Sequence, residues 1–449
     1  MGVTKLALRT NFQQRHLSFL LGVIGVSILA TVSLMSEHSS AASMRSVSAL
    51  GSNNFIASID TMKESRDTES WQEPYSQITQ DVNLIATLNV NYITIDTNWE
   101  YPAYMAEWVR AIRATGKHVW FRGAPNQWTD QNGTTGIMTP AAFESEEAQF
   151  ITSNPTLFEP GDIFDPCAEP EDGSYWSIFP ANWSWQGAPN QYTDAFNAFI
   201  LDTTTMANQS FAAIGVKGVI TTIHSTNSWW AENPNSLYNS TIRALGVVTI
   251  DSYPERDTTD PATAAAARVS ELNAVHAARP GVPVVIGEMG YSNDMPVTDA
   301  QQQAVLQAEF SAIEGLNYVA GTNYWVGPGS DQSGGYTHIF AGQRESWTLR
   351  PAASNLAAFF QYEESENAGP TPTPTPTPTR PQPRRQVLRS LSQNVSTLVA
   401  SPTNALDVST NIGKQQVTLT WPTVTPPGAL TKRQVHPLNE TWVGSPSQR

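Results

Sequence analysis

Eight short apolar runs punctuate the middle of the chain: FIASID (55–60), YITIDT (92–97), HVWFRG (118–123), GDIFDP (161–166), GVITTIH (218–224), GVVTID (246–251), PVVIGE (283–288) and YVAGTNYW (318–325). Each is short, bounded by turn residues and rich in β-branched or aromatic side chains, the pattern of buried strands. The longer segments between them read as helices. YPAYMAEWVRAIRATG (101–116) closes on Gly116, and DPATAAAARVSELNAVHAARPG (260–281) has Asp260 to cap it and Pro261 in its first turn. DAQQQAVLQAEFSAIEG (299–315) behaves in the same way. Strand and helix alternate eight times between residues 53 and 363, which predicts an α/β fold of the (β/α)8 TIM-barrel type. An open doubly wound sheet is the alternative. It would more often carry a Gly-rich phosphate loop after its first strand, and SIDTMKESRD (58–67) is not one.

The flanks differ from this pattern. Residues 1–43 open with Lys5, Arg9 and Arg15, run apolar from Leu17 to Met35, and end in small residues. Basic, then apolar, then small is the order of an export signal, and the run is also long enough to serve as a membrane anchor. Both outcomes place the rest of the chain outside the cell, secreted or anchored facing outward. After the barrel, the alternating Pro and Thr of residues 369–385 cannot pack a core and favour an extended spacer. The tail, 386–449, contains one strand-like run, QQVTLTWPTV (415–424), and reads as a partial β-type accessory module or as disordered chain.

Composition narrows the function. A formal charge of −15 argues against nucleic acid as a partner. The single cysteine, Cys167, excludes an intramolecular disulfide framework, so the fold must rest on its core. The seven histidines show no metal-ligand spacing, and neither metal nor organic cofactor is expected. Fourteen Trp and thirteen Tyr are ordinary core material, but flat rings also stack on sugars.

In a barrel of this type the active site forms where strands finish. The runs end in Asp60, in DTNWE with Asn98 and Trp99, in Arg122, in DPCAEPE with Glu169, in HSTNSWW with His224, Asn227 and Trp229, in DSYPE with Tyr253, in Glu288, and in NYWVG with Trp325. Glu169 follows strand 4 and Glu288 ends strand 7, so the two carboxyls face each other across the mouth. That is the equipment of glycosidic bond cleavage: a protonated carboxyl gives its proton to the leaving oxygen, and an ionised one attacks the anomeric carbon or activates water. Arg122 and Tyr253 are the natural donors to Glu288. GSYWSIFPANWSWQGAP (173–189) is an aromatic loop that either caps the barrel or lines a glycan cleft, and GPGSDQSGG (327–335) reads as a loop over the mouth.

Glu169-Pro170, Tyr253, IGEMG (286–290) and Trp325 together resemble the clan A retaining glycoside hydrolases, which include the family 5 cellulases and mannanases. The resemblance spans the barrel and rests on short motifs. It implies Glu169 as acid/base, Glu288 as nucleophile, Tyr253 as the partner of the nucleophile and Trp325 as a platform for the sugar being cleaved. The clan usually has Asn immediately before the acid/base, where it bonds the sugar 2-hydroxyl; this chain has Ala168. Asn98, His224 or Asn227 would then have to supply that bond. The reading is a monomeric, exported glycosidase acting on polysaccharide or oligosaccharide with β-linkages. An inactive carbohydrate-binding or cell-surface barrel, and a transglycosylase, are the alternatives.

Overall fold

The structure, a computed structural model, describes residues 55–126, 138–170, 189–226, 228–254, 258–291, 297–329 and 337–367. The N-terminal segment 1–43, the Pro/Thr linker 369–385, the tail 386–449, Asn227 and most of the loops 173–189 and 327–335 lie outside the described residues. Among those described, no helix is long and apolar enough to cross a membrane.

Nine parallel strand segments form one sheet: β1 (Ile56–Asp60), β2 (Tyr92–Ile95), β3 (His118–Phe121), β4 (Ile163–Phe164), β5 (Ile220–Thr221), β6 (His224–Ser225), β7 (Val248–Asp251), β8 (Val284–Met289) and β9 (Val319–Tyr324). β5 and β6 are two halves of one strand, interrupted at Thr222 and Ile223. The first half pairs with β4 and the second with β7. With β1 joined to both β2 and β9, the sheet closes into a ring of eight. The eight apolar runs are these eight strands, trimmed at their ends.

Between the strands lie α1 (Met62–Ser65), α2 (Tyr75–Ala86), α3 (Pro102–Ala114), α4 (Pro140–Ser153), α5 (Gln191–Ala213), α6 (Ser228–Glu232), α7 (Asn239–Leu245), α8 (Pro261–Ala278) and α9 (Asp299–Ile313), with α10 (Ala352–Asn367) closing the barrel. Local chemistry sets their ends. Asp260 accepts from the Thr263 N–H at 2.9 Å at the start of α8, where Pro261 gives up no needed donor. Thr298 and Gln301 form a reciprocal capping box on α9.

The strands are apolar on both faces only at their lower ends. Ile56, Tyr92, Trp120, Ile163, Ile220, Val247 and Val285 fill the barrel floor as one buried cluster. The intervening residues, among them Ile59, Ile93, Val119, Phe164, Ile250 and Ile286, face the helices in a second and larger cluster. One step above the floor the inward positions turn polar. Ser58 bonds Thr94 at 2.8 Å, Thr94 bonds Asn323 at 2.9 Å, and Thr222 bonds Thr249 at 2.9 Å. Above them stand Asp60, Asp96, Arg122, Asp165, His224 and Asp251, all buried. Period-2 alternation thus converts a dry floor into a charged mouth within three inward positions.

Candidate active site

The centre of the mouth is Arg122, on the first residue after β3 and 3% exposed. Its Nη1 donates to Asp60 Oδ2 at 2.6 Å, and its Nη2 donates to Glu288 Oε1 at 2.6 Å. Nη2 also lies 2.9 Å from His224 Nε2, and Nε lies 3.7 Å from Asp96 Oδ1. Burial opposes the guanidinium charge, but Asp96, Glu288, Asp60 and Asp251 outweigh it and hold the arginine well above its ordinary value. A guanidinium has donors alone, so His224 Nε2 must accept from it. The ring proton therefore sits on Nδ1, 2.5 Å from Asp165 Oδ2. The fully buried His224 thus bridges an arginine and an aspartate.

Glu288 reaches this cluster through an irregularity. Val285 fills the floor and Ile286 faces the helices, so strict alternation would send Gly287 inward and Glu288 outward. The register of β8 shifts against β9 between Ile286 and Met289, and against β7 between Ile250 and Asp251, where Asp251 pairs with Glu288. Such a bulge re-aims a side chain, and here it turns the carboxylate into the mouth. Gly287 suits the crowding beside it, because a Cβ there would lie 3.0 Å from His224 Cβ and 3.1 Å from Thr249 Cγ2, and those side chains would have to give by a few tenths of an ångström. Burial raises the Glu288 carboxyl above its usual value, Arg122 pulls it back, and Glu169 and Asp60 push it up again.

Glu169 stands on the opposite wall, five residues beyond β4, in a left-handed backbone conformation with φ +50°. For a residue with a Cβ this costs about 1–2 kcal/mol, offset by its N–H donating to the His224 carbonyl at 3.1 Å. Its side chain is hydrogen-bonded to Asp251. One carboxylate oxygen from each of Glu169, Asp251 and Glu288, together with a ring nitrogen of His224, all lie within 4.8 Å of one another. These four residues could ligate a metal ion. Asp251 is raised well above its usual value by burial and by the charges of Glu288 and Glu169, and Asp96 by burial and Asp60. Both shifts favour the protonated form.

The other expected residues divide. The Tyr253 hydroxyl lies 3.5 Å from Glu288 Oε2, the long end of hydrogen-bond range. Its own proton is held well above the ordinary tyrosine value by burial, Glu288 and Asp251. Trp325 follows β9 with its backbone N–H on the Met289 carbonyl at 2.8 Å; the residue is 8% exposed, and its ring carries the Lys63 ammonium 5.7 Å from its centre.

Trp99 requires a correction. It does not line the mouth: its ring is stacked on Phe150 at 5.1 Å and on Phe164 at 6.3 Å, with Phe143 at 5.3 Å, between the barrel and α4. A large ring placed just past β2 on the helix-facing side gains more from that apolar layer than from the polar mouth. Asn98 is likewise committed elsewhere, its Nδ2 donating to Glu69 at 2.8 Å and Asn126 at 2.5 Å and its backbone N–H to Glu69 at 2.8 Å. His224 has both ring nitrogens engaged and Asn98 both amide hydrogens, whereas Asn98 Oδ1 has no hydrogen-bond partner. Asn227 and the Trp229 side chain lie outside the described residues.

Asp60, Asp96, Asp165 and Asp251 belong to the site without having been given roles from the sequence. A signal existed: each sits at an inward position at or just past the end of a strand, and Ser58/Asp60, Thr94/Asp96 and Thr249/Asp251 share a two-residue spacing.

No family model matches the chain, and no curated protein matches it in sequence. Among solved structures, it is similar to GH5_18 from Streptomyces cattleya in complex with GlcNAc, with 13% identity, a TM-score of 0.53, and coverage of 72% of this chain and 83% of that one. It is also similar to GH5_18 from Bifidobacterium longum subsp. longum in complex with Manβ1-4GlcNAc, with 12% identity, a TM-score of 0.51, and coverage of 68% and 78%. The likeness defines the class of fold, a (β/α)8 barrel. The fold neighbours are glycoside hydrolases of the group that the sequence motifs resemble.

Proposed function

We propose that the chain is a glycoside hydrolase that cleaves β-linked glycans by double displacement, with Glu288 as nucleophile and Glu169 as acid/base. The observation that carries this reading is the pair itself: two carboxylates from opposite walls of the mouth, with oxygens within 4.8 Å of each other. Retaining glycosidases hold their carboxyl groups about 5–5.5 Å apart, whereas inversion needs about 6.5–9.5 Å to admit a water. Arg122 favours the ionised form of Glu288, as attack on an anomeric carbon requires. The hydrogen bond between Asp251, shifted toward its protonated form, and Glu169 keeps a proton beside the group that must deliver one to the leaving oxygen. The aglycone then departs, and Glu169 takes a proton from the water that releases the sugar from Glu288. The apolar segment from Leu17 to Met35 supports delivery of the enzyme to the outside of the cell.

The test is hydrolysis of β-mannans, β-glucans and Manβ1-4GlcNAc by the full chain, with the anomeric form of the first product followed by proton NMR. Retention is expected, and Glu288→Gln should lower kcat by about 10³-fold or more. An inverted first product would reassign Glu288 to water activation. Undiminished turnover in Glu288→Gln would sink the proposal. A product carrying a second sugar in place of water would mark a transglycosylase on the same two glutamates.

A further inference from the structure

A second acidic cluster lies away from the mouth, under the segment that links β1 to α2. Glu64 on α1, Glu73 ahead of α2 and Asp81 on α2 are 0%, 2% and 0% exposed, and one carboxylate oxygen from each lies within 4.8 Å of the others. Arg344, from the loop after the barrel, is the cation that reaches them among the described residues, at 2.6 Å from Glu64 Oε2 and 3.7 Å from Glu73 Oε2. Gln77 Nε2 donates to Asp81 Oδ1 at 2.8 Å, and the Tyr104 hydroxyl lies 3.5 Å from Glu73 Oε1. These donors leave Glu64 Oε1, Glu73 Oε2 and Asp81 Oδ2 buried with no hydrogen-bond partner. Unpaired buried carboxylate oxygens are costly.

We propose that Glu64, Glu73 and Asp81 bind a hard divalent cation, calcium in character. With three carboxylates and one guanidinium, a divalent ion leaves the pocket without net charge. Calcium–oxygen bonds are about 2.3–2.6 Å, so ligands on opposite sides of the ion lie up to about 5 Å apart, which these oxygens satisfy. Arg344 is partly exposed and stacks over the exposed Trp71 ring, its Cζ 5.0 Å from the ring centre, which marks the side from which an ion enters. The ion would pin residues 66–74, and from that segment Glu69 accepts the Asn98 backbone N–H at 2.8 Å behind the mouth.

The test uses the full chain, stripped with EDTA and titrated with calcium chloride by calorimetry at about pH 7.5, with melting followed in parallel. One calcium per chain and a calcium-dependent rise in Tm are expected. Asp81→Asn keeps an acceptor for Gln77 and should weaken calcium binding at least tenfold, as should Glu73→Gln. Glu288→Gln, at the barrel mouth, should leave it unchanged. Absence of calcium uptake by the stripped chain overturns the proposal, and so does uptake that Glu288→Gln abolishes while Asp81→Asn spares it.

Discussion

Asp251 concentrates the site's electrostatics in one side chain. It pairs in register with Glu288, bonds Glu169, and lies 3.6 Å from the His224 ring. Burial and the two glutamates shift it toward the protonated form, in which it can donate. An asparagine has the same shape and also donates. Asp251→Asn should therefore retain turnover within a few-fold, whereas Asp251→Ala leaves buried partners unpaired at a cost of about 1–3 kcal/mol, roughly 5- to 150-fold in rate. Steady-state kinetics on both variants checks this. Equal damage from the two would mean that Asp251 works as an anion. The apolar run before Glu288 announced a carboxylate with a purpose, but its partners come from strands distant in sequence.

At the scale of elements, Trp99 shows why a strand end can mislead. The aromatic layer it joins, with Phe143 and Phe150 of α4 and Phe164 of β4, holds α4 against the barrel. Trp99→Ala should cost about 3–5 kcal/mol of stability, read from the urea midpoint, with KM for any glycan little changed in the folded fraction. A change in KM without a change in stability would return Trp99 to the cleft. The strand and helix limits themselves were legible because periodicity, Pro, Gly and capping residues are local signals. The direction in which a residue just beyond a strand points was not, since a bulge or a turn reverses it.

For the molecule as a whole, pH is a sensitive variable because several carboxylates are buried. Glu363 on α10, with burial and the neighbouring Glu314 and Glu366 against its charge, is raised to about 7. A carboxyl raised on folding binds its proton more tightly in the native state. Its contribution is thus complete below the unfolded value of about 4.3 and is lost as pH rises through about 7. Glu363→Gln removes that dependence. The difference in Tm between variant and parent, in favour of the variant, should grow from about pH 5 to about pH 8. A difference that stays flat over that range would mean that Glu363 does not titrate near neutrality in the folded chain.

The sequence by itself determined the barrel, because eight strand–helix repeats are written in local hydrophobic periodicity, and it singled out Glu169, Glu288 and Arg122 because a charge at the end of an apolar strand is costly unless it has partners. Only the tertiary structure decided which charges meet. Closing the ring brings Asp60, Asp96, His224 and Asp251 around one guanidinium from strands far apart in the chain, with Asp165 on the far side of His224. It also buries Glu64, Glu73 and Asp81 together behind the wall and sends Trp99 into the core. Coulombic interactions and burial depend on distance in space, and no local pattern encodes that distance.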